Sequence, residues 1–127
     1  MHPDADTTET RQPPPENAAV ALNAAPEQEL TTRSATITGD HGVVALRTTY
    51  TTDTGPIPEP TEATTQTYAR PLNHAEAAQL QAPPGVVALV QDETAYRHGR
   101  ATAFTTTVYR SDAISLTDHY TPHPAHT

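Results

Sequence analysis

Apolar and polar positions alternate most clearly in the middle and second half of the chain. Residues 34–38 (SATIT) alternate, residues 39–42 (GDHG) offer a turn, and residues 43–51 (VVALRTTYT) read as a returning strand, so a hairpin is predicted. Residues 53–60 (DTGPIPEP) carry three prolines, which bars a central strand and predicts a loop. Residues 62–70 (EATTQTYAR) suit a strand that Pro71 ends. Asn73 followed by Glu76 has the spacing of a capping box, in which each side chain accepts the other's orphan amide. A two-turn helix over residues 74–80 (HAEAAQL) should bury Ala77 and Leu80 and stop before Pro83-Pro84-Gly85. Residues 86–97 (VVALVQDETAYR) start apolar and become alternating. His98-Gly99-Arg100 then makes a tight hairpin with Gly99 at positive φ, and residues 101–110 (ATAFTTTVYR) return as its partner strand. Ser111-Asp112 reads as a corner, and residues 113–120 (AISLTDHY) as a last strand with Ile114 and Leu116 on one face.

The ends lack this order. Residues 1–16 are polar and finish in three prolines; they bury too little apolar area to offset their ordering entropy, so a disordered tail is expected. Residues 16–30 are Ala-rich and suit a short helix interrupted at Pro26. Residues 121–127 (TPHPAHT) read as a second flexible tail. One domain over residues 17–120 therefore remains. Hairpin-linked strands with a short crossover helix imply α+β: an antiparallel sheet of about five or six strands, with one or two short helices on one face.

Composition sharpens this in three ways. The 127 residues are only 35% hydrophobic and 5% aromatic, low for a well-filled core, and the thirteen prolines favour strands and turns over a helical bundle. Seven arginines and no lysine stand against fifteen acids, a formal charge of −8 that argues against a free-standing nucleic-acid binder. The absence of cysteine removes disulfides, thiolate nucleophiles and zinc–cysteine sites. No apolar run approaches a membrane span and the N-terminus has no secretory-signal order, so a cytoplasmic location is expected, with no membrane partner. His119, His123 and His126 have ligand-like spacings, but Pro122 and Pro124 prevent the helix that would hold them on one face, and no metal or other cofactor is expected.

Several elements of the second half occur in a recognisable order. They are Ala69-Arg70-Pro71, Glu76-Ala77 with Leu80, Pro84-Gly85, the apolar run 86–90, Gly99-Arg100, and Tyr109-Arg110 with Asp112. In order and spacing, residues 62–120 resemble the C-terminal half of the UTRA domain, the effector-sensing module of HutC-subfamily GntR transcription regulators, whose fold is shared with chorismate lyase. Residues 31–54 would supply an abbreviated first half. Such regulators carry a winged helix-turn-helix ahead of the sensor. Residues 1–30 are acidic and lack a basic recognition helix, so a sensor without its own DNA reader is expected.

The resemblance implies a small effector, often phosphorylated or acidic, lying against the sheet and held by arginines and backbone amides. Arg70, at a strand end beside a helix start, is the first candidate. It either meets a carboxylate or phosphate bidentately, or pairs with Glu76 or Glu62. Arg47 is the second, against a solvated edge charge. Tyr109 and Arg110 occupy motif positions, although Tyr109 also suits sheet packing. Thr105, with Thr106 and Thr107, offers hydroxyl contacts. Where the family often has an effector-binding Glu, this chain has Ala103.

Three classes of function are compatible with these residues. The first is a homodimeric effector sensor acting in transcription, touching DNA only through an attached or partnering winged helix. The second is an interaction protein that heterodimerises with an intact GntR-type regulator. The third, a chorismate lyase-like enzyme, finds no matched nucleophile, acid–base pair or metal site, and no enzymatic activity is expected.

Overall fold

Threonine dominates the strands, and its β-branched side chain suits a pleated, half-buried surface. A computed structural model describes residues 5–40, 42–52, 59–83 and 85–110. They form six strands, β1 (Ala5–Gln12), β2 (Leu30–Gly39), β3 (Gly42–Thr51), β4 (Glu62–Pro71), β5 (Val87–Arg97) and β6 (Arg100–Arg110), with helices α1 (Glu16–Leu22) and α2 (His74–Leu80). The strands make one antiparallel sheet in the order β1-β2-β3-β6-β5-β4. The architecture is α+β, as the periodicity predicts. Most of the loop 53–60, the corner at 111–112, the strand expected over 113–120, the tail 121–127 and the three C-terminal histidines lie outside the described residues.

One expectation is corrected. Residues 5–12, assigned from their polarity to a disordered tail, form strand β1 and pair residue by residue with β2. Backbone pairing does not require apolar side chains, and this segment carries three threonines, Thr7, Thr8 and Thr10, opposite the open edge of β2. Cross-strand polar contacts assist. Glu9 Oε1 accepts from Arg33 Nε at 3.0 Å, and Arg11 donates to Thr31 Oγ1 at 2.9 Å and to the Glu29 carbonyl at 3.0 Å.

Helix α1 ends four residues before Pro26. Asn23 adopts the left-handed conformation (φ 54°), and Ala24 N–H closes back on the Ala19 carbonyl at 2.9 Å. Asn tolerates this conformation better than most residues, so the stop is local chemistry and not the proline. Helix α2 has the expected capping box: Asn73 Oδ1 accepts from Glu76 N–H at 2.8 Å, and Glu76 Oε1 accepts from Asn73 N–H at 3.1 Å. The β5–β6 hairpin turns on His98 and Gly99, both at positive φ (54° and 79°).

Both helices lie on one face of the sheet, and the core beneath them is divided. Ala77 and Leu80 of α2 pack on Leu72, Ala88, Val90 and Val108. Ala18 and Leu22 of α1 pack on Leu30 and Phe104. Leu30 and Leu80 are fully buried, each contributing about 1.5–3 kcal/mol by leaving water. On β6, Phe104 belongs to one cluster and Val108 to the other, and Thr106 lies between them on the same face.

Candidate functional site

Strand registry turns that interruption into a feature of the whole sheet. Thr8 is paired with Ser34, Ser34 with Thr48, Thr48 with Thr106, Thr106 with Asp92, and Asp92 with Gln66. Every strand thus contributes one polar residue to a single transverse row. The next row on one side contains Tyr50 and Phe104, towards α1; the next on the other contains Leu46, Val108 and Val90, towards α2. The two helices cover the apolar members of these rows, whose other positions include Thr32, Thr94 and Thr36, and leave the wholly polar row between them as the floor of a trough.

The trough has two lobes. The central one, about 910 Å³, is bordered by Thr8, Ser34, Thr48 and Thr106 from the row, by Arg70 at the end of β4, and by Asn73, Glu76 and Gln79 along α2 and its cap. The second, about 600 Å³, lies between α1 and β4–β5 and is bordered by Asp92 and Gln66 from the row. Asn17 of α1 borders both. Volumes of this order suit small-molecule sites.

The floor is held by hydrogen bonds. Asp92 Oδ1 accepts from Thr106 Oγ1 at 2.8 Å and Oδ2 accepts from Tyr68 Oη at 3.0 Å. Burial, then the hydrogen bond to Asp92, raises the Tyr68 phenol above the ordinary tyrosine value, with nearby Arg70 opposing the shift. Arg70 grips Glu76 with both prongs, Nη1 to Oε1 at 2.7 Å and Nη2 to Oε2 at 2.8 Å. That pairing holds the Glu76 carboxyl below its ordinary value and raises Arg70.

The residues singled out in the sequence are distributed over both faces. Arg70 lies at the trough, engaged with Glu76. Arg110 shares that face but donates to the Leu80 carbonyl at 2.9 Å and the Gln81 carbonyl at 3.4 Å, fastening the end of α2. Arg47, Thr105 and Tyr109 alternate onto the opposite face, helix-free among the described residues, around a basin of about 250 Å³ with Glu93 and Gln91. There Thr49 and Thr105 are hydrogen-bonded at 3.1 Å. Arg47 also borders the trough. Ala103 is buried on the helix-free side of β6.

No protein-family model matches the chain, and no curated protein matches it in sequence. Solved structures do match it. A candidate transcriptional regulator from Streptomyces coelicolor superposes with a TM-score of 0.78 at 20% identity, over 88% of this chain and 89% of that one. The PhnF C-terminal domain gives 0.74 at 16% identity, over 87% and 84%. The ligand-binding domain of a candidate GntR-family regulator from Bordetella bronchiseptica gives 0.70 at 16% identity, over 85% and 83%. The chain has the fold of a GntR-type regulator's C-terminal domain. This is the fold that residues 62–120 resemble in sequence, and it extends here from β1 to β6.

Within this GntR-type fold, sequence reasoning overlooked Asp92, Tyr68, Ser34, Thr48 and Gln66. A parity signal was available. Asp92 lies two residues from Val90, and Thr106 two residues from both Phe104 and Val108, so each shares a face with core residues, whereas Thr105 and Tyr109 alternate away from it.

Proposed function

We propose that this chain is the effector-sensing domain of a GntR-type transcriptional regulator of the HutC branch, and that the trough between α1 and α2 binds its small-molecule effector. The observation that carries the reading is the polar row from Thr8 to Gln66. A sheet face shared by two packed helices gains stability from apolar side chains between them, and the four half-buried members, Ser34, Thr48, Thr106 and Asp92, forgo that gain. The likeness to a domain described as ligand-binding supports the same reading.

The hydroxyls of Ser34, Thr48 and Thr106 suit a ligand with several polar groups. A phosphorylated sugar or a carboxylate would reach Arg70 by replacing the Glu76 carboxylate, a geometry the guanidinium fork already accommodates. The protein acts without catalysis, by shifting the population of two arrangements in a homodimer, and meets DNA through a winged helix attached or supplied by a partner. The helix-free face, with Arg47 and Glu93 across the central strands, is the surface offered for pairing.

Thermal-shift screening against sugar phosphates, amino acids and carboxylates tests the proposal. A hit should raise the melting temperature of the wild type and lose its effect in Thr106→Val. Hits that are indifferent to Thr48, Thr106 and Arg70 substitutions place binding elsewhere and overturn the reading.

A further inference from the structure

The two lobes differ in charge and in wall chemistry. Arg70 and Glu76 neutralise one another at the central lobe. The lobe beside α1 is bordered by Asp92 and Glu16, by the uncharged polar side chains of β4 with Asn17 and Thr94, and by the apolar Val20, Ala21 and Phe104; among the described residues no basic one lines it. Val20 is 75% exposed, an uncovered aliphatic group on the rim, and Phe104 is a buried aromatic at the base.

Asp92 is the unusual member. It is half-buried, and its hydrogen-bond partners are the neutral hydroxyls of Tyr68 and Thr106. Among the described residues no cation is paired with it. Arg70 pairs with Glu76 and reaches the Asp92 network only through the Tyr68 hydroxyl, Arg33 pairs with Glu9, and Arg110 fastens α2. Two hydroxyl donors orient a carboxylate without cancelling its charge, and a partly buried carboxylate held in one orientation is a ready partner for a cation. An inorganic divalent ion suits the site poorly, because calcium or magnesium favours several clustered carboxylates and no cluster of three acidic or histidine ligands occurs among the described residues.

We infer that the lobe beside α1 receives a cationic nitrogen carried on an apolar body, an amine or quaternary ammonium. The inference rests on the reading of the trough as the effector site and names the chemistry of one end of that effector. The ammonium meets the Asp92 carboxylate, the apolar body lies along Val20 and Ala21, and the Phe104 ring adds its negative face. The chain's charge of −8 favours the approach of a cation over that of an anion.

The test is an NMR titration of the whole chain with two probes of similar shape and opposite charge, phenethylammonium and 3-phenylpropanoate. Phenethylammonium should perturb the amides of residues 92–94 and 104–106 and those of α1, saturably. Its affinity should fall about tenfold in Asp92→Asn, the loss of one charge-assisted contact. Val20→Lys, at a 75% exposed position that leaves the core intact, should compete with the probe and weaken it as well. Failure of the ammonium to perturb this lobe, or equal binding of both probes there, overturns the inference. If 3-phenylpropanoate alone binds, at Arg70 and Thr48, the cationic inference falls and the effector reading stands. If neither these probes nor the metabolite panel perturbs either lobe, both fall.

Discussion

Arg70 and Glu76 form a two-pronged ion pair across the junction of β4 and α2, and the same Glu76 carboxylate accepts the Asn73 amide that begins the helix. One side chain therefore caps α2 and neutralises the arginine at the trough. Glu76→Ala should lose both, costing about 1–2 kcal/mol in urea unfolding at neutral pH. Glu76→Gln can keep the reciprocal cap and should lose less. The folded-state pKa of Glu76 lies below its ordinary value of 4.5, so its stabilisation is fully present above that value and is lost as pH falls through the depressed one. The acid limb of the stability profile should flatten in Glu76→Gln. An unchanged limb would show that the pair does not persist in solution.

Tyr68 should titrate above the ordinary tyrosine value of 10.0, because burial and the Asp92 carboxylate both disfavour its phenolate. A raised folded pKa makes this contribution complete below the unfolded value and lost as pH rises through the folded one. Resolved ring resonances followed through alkaline pH give the measurement. Asp92→Asn should bring the Tyr68 midpoint back towards 10.0, whereas Thr49→Val on the opposite face should leave it in place.

The divided core gives two independent handles on stability. Leu80→Ala and Leu30→Ala each empty a fully buried site in a different cluster, and each should cost about 2–5 kcal/mol. The clusters share no residue, so the double variant should be close to additive. Strong non-additivity in the urea series would mean that the polar row does not separate them.

Local chemistry explains what could be read from the chain. Asn73, Glu76, His98 and Gly99 act within a few residues of themselves, so their spacing alone foretold the capping box and the turn. Leu80 and Ala77 were legible for the same reason, from one helical period. Strand β1 was not, because its Thr and Glu side chains stay exposed and its stabilisation lies in backbone pairing with β2, which leaves no apolar trace. The site needed registry between five pairs of strands before Thr8, Ser34, Thr48, Thr106, Asp92 and Gln66 could be placed in one row. Resemblance instead drew attention to Arg47, Tyr109 and Thr105, whose parity carries them onto the helix-free face.

The hairpin turn holds His98 at φ 54°, a conformation that most side chains with a Cβ disfavour and that Asn, Asp and His tolerate best. His98→Asn keeps the backbone N–H that donates to Thr61 Oγ1 at 3.0 Å and relieves the torsion. It should stabilise the chain slightly, by no more than about 0.5 kcal/mol. Gly99→Ala, at φ 79°, should destabilise by at least a similar amount even though nothing crowds a Cβ there. Equal stabilities in both variants would mean that the turn relaxes to another type.

The polar row itself supplies the sharpest contrast between stability and binding. Thr48 lies between Leu46 and Tyr50 on its own strand face and between Ser34 and Thr106 across strands, so it sits where the two apolar clusters come closest on β3. Thr48→Val exchanges a hydroxyl for a methyl of similar volume and extends apolar packing from one cluster towards the other. A gain of about 0.5–1 kcal/mol is expected, the scale of one buried methyl group. The same substitution should weaken binding of any ligand that uses the trough, because it removes a hydroxyl from the middle of the floor. Natural chains accept such local losses of stability where a site requires them. A Thr48→Val protein that is more stable and still binds its effector with wild-type affinity would remove the functional reason for the row.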